Sequence, residues 1–171
     1  MTAQGETTMA KAEYVIEPGK QEIIITRVFD APRELVFKAF TDPELFARWW
    51  GPRRYKIEVD KFDSRPGGEW RVVHVGEDGS RYGFRGVNHD VVAPERICAT
   101  FEYEGVPGHV ALQTATFEPL GNKTRLVAQN VFQSVADRDG MVASGMQEGS
   151  DESYDRLAEL LAKLQSGKHA R

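Results

Sequence analysis

The chain has 171 residues, 40% hydrophobic and 28% charged, with a net charge of −4, enough for one domain with a real core and too short for two. The acidic balance excludes the basic face that nucleic-acid binding requires, and no apolar run approaches the ~20 residues that cross a bilayer. The single cysteine, Cys98, excludes an internal disulfide and a paired-cysteine metal site, and reads as a small buried hydrophobe.

Residues 1–12 are polar, small and aperiodic, the pattern of a mobile tail ahead of a single domain over 13–165. "EYVIEPGKQEIIITRVF" carries two β-rich runs around Pro18-Gly19, a hairpin signal. "DAPRELVFKAF" follows as a helix, with Asp30 as cap, Pro32 in the first turn and Leu35, Val36 and Ala39 as its apolar stripe. "TDPELFARWWGP" repeats the device: Thr41 or Asp42 caps, Pro43 opens, and Gly51-Pro52 stops.

From Arg53 to Phe132 the pattern is one of short strands. Turn residues punctuate it at Arg65–Gly68, Glu77–Gly79, Ala93-Pro94, Gly105–Gly108 and Leu120–Asn122, predicting an antiparallel meander. "FQSVADRDG" opens a last long helix, with Ser134 and Asp137 at capping-box spacing. Its apolar stripe is Leu157, Leu160, Leu161 and Leu164. Followed backwards, the same face holds Ser153, Gly149, Met146 and Gly145. Asp137, Arg138 and Asp139 read as its solvated side, with Glu152–Arg156 and Glu159–Lys163 as helical ion pairs. Residues 166–171 read as a frayed end.

Centring each turn assigns the strand faces, because residues opposite one another in a hairpin share a face. One face collects Arg71, Arg85, Arg96, Glu102 and Arg125 and is expected to meet water. The other collects Trp70, Val72, His74, Phe84, Gly86, Asn88, Ala99, Phe101, Tyr103, Ala111, Gln113, Ala115, Phe117, Leu126, Ala128, Asn130 and Phe132. Small residues gather in the middle of this inner face, opposite the small residues of the helix. Either the helix lies very close to the sheet, or the layers enclose a cavity. Three amides in a dry, close-packed layer would each cost about 1–3 kcal/mol if unpaired, which favours the cavity.

"ITRVFDAPRELVFKAFTDPELFARWWGP", "RPGGEWRVV", "EDGSRYGFRGV", "PERI" and "FQSVADRDGMVASGM" resemble the activator of heat-shock protein 90 ATPase homologue-like branch of the START-like (SRPBCC) superfamily. The resemblance covers about Tyr14 to Leu164. It implies an α+β helix-grip fold: a curved antiparallel sheet wrapped around a long C-terminal helix, with two short helices after the first strand. It also implies a cavity for lipid-like, polyketide-like or other small apolar or amphipathic molecules. Met146 and Asn88 depart from the aromatics of many relatives, which enlarges the pocket or makes it more polar.

The expected ligand-binding set is therefore Trp49, Trp70, Phe84, Gly86, Asn88, Phe101, Tyr103, His109, Gln113 and Asn130, roofed by Gly145, Met146, Gly149 and Ser153. His109 is placed at the cavity mouth. Trp49-Trp50 reads either as a core plug or as an aromatic lip for a ligand or partner. No nucleophile motif is present, and His74 and His89 fall on opposite faces about 23 Å apart, which disfavours a three-histidine metal site. No catalytic, metal or cofactor set is assigned. A binding module is the first expectation, a cyclase or hydrolase in the same cavity the second, and a chaperone partner the third. Monomer and homodimer stay open, and a cytoplasmic location is expected from the missing signal pattern.

Overall fold

A computed structural model describes residues 11–169 of the chain, so most of the expected tail, 1–10, lies outside the described residues. Strands β1 (Glu13–Val15) and β2 (Glu22–Phe29) make the opening hairpin around Pro18-Gly19. Helices α1 (Arg33–Thr41) and α2 (Pro43–Phe46) follow. The meander is β3 (Lys56–Phe62), β4 (Glu69–Val75), β5 (Arg81–Val92), β6 (Arg96–Tyr103), β7 (Val110–Leu120) and β8 (Lys123–Val131). The chain ends in α3 (Val135–Ala143) and α4 (Met146–His169). The sheet order is β1-β2-β8-β7-β6-β5-β4-β3, with every pair antiparallel. This is the helix-grip arrangement, in which β8 returns to pair with β2 and α4 lies in the grip of the curved sheet.

The inner face is set by strand register. Gln113 pairs with Ala99 and Asn130, Ala115 with Ile97 and Ala128, Phe117 with Leu126, and Trp70 with Gly86. The main core joins Phe29, Val36, Phe37, Trp49, Val72, Phe117 and Leu126 to Leu157, Leu160 and Leu161 of α4. A second cluster, Ile23, Ile25, Ala111 and Phe132, gathers Met141, Val142 and Met146 at the α3–α4 corner. The second half of α4 is thus bolted to the core, and its first half spans from one cluster to the other. No helix among the described residues is long and apolar enough to cross a membrane.

Several local expectations are corrected. Asp30 does not cap α1; Pro32 stands at the cap without a side-chain bond, and the Asp30 carbonyl instead accepts from Gln165 at 3.0 Å. Asp42 does cap α2, accepting from the amides of Glu44 and Leu45. The last helix is two helices, because Gly145 at φ 85° ends α3 with the left-handed turn that glycine adopts freely. Ser134 caps α3 through the Asp137 amide, but the Asp137 carboxylate does not return the bond. Arg138 is not on a solvated side: it is 2% exposed and donates to the carbonyls of Glu22 and Glu17 and to Asp139. The expected helical ion pairs are replaced by a long-range ion pair, Arg53 with Glu159, and by hydrogen bonds from Arg156 to loop carbonyls. A bulge between Asn88 and Asp90 sets Cys98 opposite Asp90.

Candidate functional site

Between the sheet and the first half of α4 lies a hollow of about 550 Å³. A second hollow of about 130 Å³ continues the inner face toward β4 and β5; Phe40, Trp50, Gln113 and Ala115 border both. The larger volume falls within the ~300–1,000 Å³ range of small-molecule sites.

The small residues of α4 do not mark a close helix–sheet approach. A Cβ on Gly149 would meet only Pro52, at 3.9 Å, and one on Gly145 would meet nothing within 4 Å. The first half of α4 is held off the sheet by the loop after α2. The Gly51 amide donates to Ser153 Oγ at 2.7 Å, and Arg156 donates to the carbonyls of Gly51 at 2.7 Å and Arg48 at 3.1 Å. Burial, then the neighbouring charge of Arg53, lowers the Arg156 pKa.

Most of the expected set borders these hollows. Trp49, Phe84, Phe101, Gln113, Asn130, Gly145, Met146, Gly149 and Ser153 line the larger one; Trp70, Asn88 and Gln113 line the smaller. Their polar groups differ in availability. Ser153 is committed to Gly51, and Asn88 Nδ2 donates to the Asp63 carbonyl at 2.8 Å, pinning the 63–68 loop. Asn130 makes one long bond, 3.4 Å, to the Ile23 carbonyl. Among the described residues the Gln113 side chain has no hydrogen-bond partner.

Three expected members lie elsewhere. Gly86 is covered rather than open: a Cβ there would strike the Thr100 carbonyl and come within 2.6 Å of Trp70 Nε1, so the glycine admits the Trp70 indole. Tyr103 packs on Phe84 at 5.2 Å but borders a separate surface depression with Arg71 and Glu104. His109 is not at the mouth; it is exposed and pairs with Asp137 at 2.9 Å at the start of α3. That histidine–carboxylate pair borders neither hollow, so it supplies no acid–base group to them. Trp49 is the core plug, 1% exposed with its indole nitrogen donating to the Ala39 carbonyl at 2.9 Å. Trp50 packs among Phe46, His74 and Phe84, so neither tryptophan forms a free lip.

Two polar residues of the larger hollow stand outside the expected ligand-binding set. His74 is 5% exposed, packed against Trp50, Tyr55 and Phe84, with its Nε2 lacking any partner. Burial, then the charges of Arg156 and Arg54, lower its pKa to about 4. Tyr154, one position past Ser153, lines the hollow with its pKa raised to about 12 by burial. Its signal was the stripe itself, since it stands three residues before Leu157. Exposed Arg54, Ser144 and Glu148 form the rim, Arg54 lying 4.7 Å over the Tyr55 ring. Among the described residues no group of histidine, cysteine and carboxylate side chains is placed to hold a metal ion.

Comparison with known proteins places this geometry. A protein from Rhodobacter sphaeroides has a solved structure that matches with TM-score 0.83 at 26% identity, covering 90% of this chain and 99% of that one. A Chromobacterium violaceum protein matches at 28% identity and TM-score 0.71, over 82% and 96% of the two chains. The AHSA1 protein of Silicibacter pomeroyi, at 24% identity and TM-score 0.69 over 82% and 97%, shares the fold. No functionally curated protein matches the chain. Residues 30–162 match the family described as Activator of Hsp90 ATPase homolog 1-like protein, so the chain belongs to that branch of the START-like superfamily.

Proposed function

We propose that this protein binds a small apolar or amphipathic molecule between its sheet and the first half of α4, without catalysis of its own. The observation that carries this is the 550 Å³ hollow, bordered by aromatic rings and by amide and imidazole groups without full hydrogen bonding. A guest seated there gains dispersion contacts along the lining and hydrogen-bond partners at its polar groups. The decisive experiment is native mass spectrometry of the freshly purified chain, followed by thermal-shift measurements with a panel of small apolar molecules. A co-purified adduct or a ligand-dependent rise in Tm is expected. A chain without adduct that no member of the panel stabilises would refute the proposal.

A further inference from the structure

Resting on that reading, we propose that the hollow selects an uncharged aromatic molecule bearing a hydroxyl or carbonyl group, with the Gln113 amide as the specificity-determining contact. Gln113 stands mid-sheet, opposite Asn130 on β8 and Ala99 on β6, where the two hollows meet. Its amide offers both donor and acceptor and has no partner among the described residues. A hydroxyl or carbonyl on the guest would satisfy it, with Asn130 alongside.

Charge argues the same way. On the inner face the buried cation Arg27, which borders neither hollow, pairs with Asp155 at 2.8 Å. Within the lining, His74 and Tyr154 are both uncharged at neutral pH, because burial, with the charges of Arg156 and Arg54, lowers the one to about 4 and burial raises the other to about 12. The charged side chains of the lining stand toward the mouth: Arg54 and, on α4, the carboxylates of Glu148 and Glu152. A carboxylate carried into the hollow would lose water, and the cations nearest His74 are Arg54, exposed at the rim, and Arg156, bonded to the carbonyls of Gly51 and Arg48. A plain hydrocarbon would be admitted but would leave Gln113 unpaired. The aromatic preference comes from the walls, where Trp50, Phe84 and Phe101 line the hollow as a mutually packed aromatic cluster that a flat guest can extend.

The test uses three probes of similar shape at neutral pH with the full chain: 2-naphthol, 2-methylnaphthalene and 2-naphthoate, their affinities measured by calorimetry. The expected result is that 2-naphthol binds at least ~10-fold more tightly than either of the others, as a site built around a hydrogen bond discriminates. In Gln113→Leu that preference disappears while 2-methylnaphthalene is held as before; circular dichroism checks that the variant folds. Gln113→Met serves as a second variant of closer shape. Tightest binding of 2-naphthoate, equal binding of 2-naphthol and 2-methylnaphthalene, or an unchanged preference in both variants overturns the proposal while leaving the hollow as a binding site. Failure of all three probes to bind overturns both readings together.

Discussion

The backbone amide of Gly51 and the hydroxyl of Ser153 meet at 2.7 Å, joining the loop after α2 to the first half of α4. Both residues are buried at the lining of the larger hollow. Ser153→Ala removes the acceptor and strands the amide, at a cost of about 1–3 kcal/mol. Urea unfolding is expected to show the midpoint fall with an unchanged slope. Arg156→Met loosens the same loop through its carbonyls. The double variant is therefore expected to lose less than the sum of the two singles, which a double-mutant cycle measures. Strict additivity would mean that Ser153 and Arg156 hold separate structures.

His74 gives the fold an acid-sensitive element. Its folded pKa of about 4 lies below the ordinary 6.5 because burial, then Arg156 and Arg54, disfavour the charged ring. The unfolded chain therefore binds the proton more readily. Stability from this group is complete above pH 6.5 and is lost as pH falls toward 4, by about 3 kcal/mol at most. His74→Phe keeps an aromatic against Trp50, Tyr55 and Phe84 and removes the titration. Denaturation at a series of pH values is expected to give a flatter stability profile for the variant between 4 and 6.5. Parallel profiles would place the acid sensitivity elsewhere.

Much of the sheet could be read from the sequence because alternation and short turns leave few alternatives. Once one hairpin is centred, Gln113 must face the same way as Asn130, and the arginines must face the other. What stayed hidden depended on long-range partners. Arg138 sits in a run of charges that looks solvated, and only the carbonyls of Glu17 and Glu22, more than a hundred residues away, explain its burial. Gly145 reads equally well as a small helix residue or as a left-handed corner, and helical periodicity cannot separate the two. Gly86 and Gly149 look alike in sequence; one is covered by Trp70 and the other borders open space. His74 and His109 likewise exchange their expected importance, because burial of a ring is set by the loop that closes on it.

The pair formed by Arg27 and Asp155 is asymmetric: Arg27 is 2% exposed at its side chain and Asp155 is 50% exposed. Removing the exposed partner is therefore the more harmful change. Asp155→Ala leaves a buried guanidinium without its counter-charge, a loss of about 3–5 kcal/mol. Arg27→Met removes the charge itself and keeps most of the volume, so a much smaller loss is expected. Thermal or urea unfolding of the two variants checks the order. The reverse order would show that Arg27 is stabilised mainly by contacts other than Asp155, such as the Phe29 ring 5.3 Å from its guanidinium carbon.

Gly149 separates stability from function in one position. It lies inside α4, has ordinary helical neighbours, and would meet only Pro52 if given a side chain. Gly149→Ala is expected to stabilise the chain by about 0.5–1 kcal/mol through helix propensity alone. Gly149→Leu adds the same helical preference but extends a branched side chain at the lining of the 550 Å³ hollow. If the hollow holds a guest, the leucine variant folds as well as the alanine variant yet loses the Tm increase that 2-naphthol gives the parent chain. Should both variants respond to 2-naphthol as the parent does, the guest does not lie beneath this turn of α4. A glycine that lowers helix stability without preserving space would then have no role in binding.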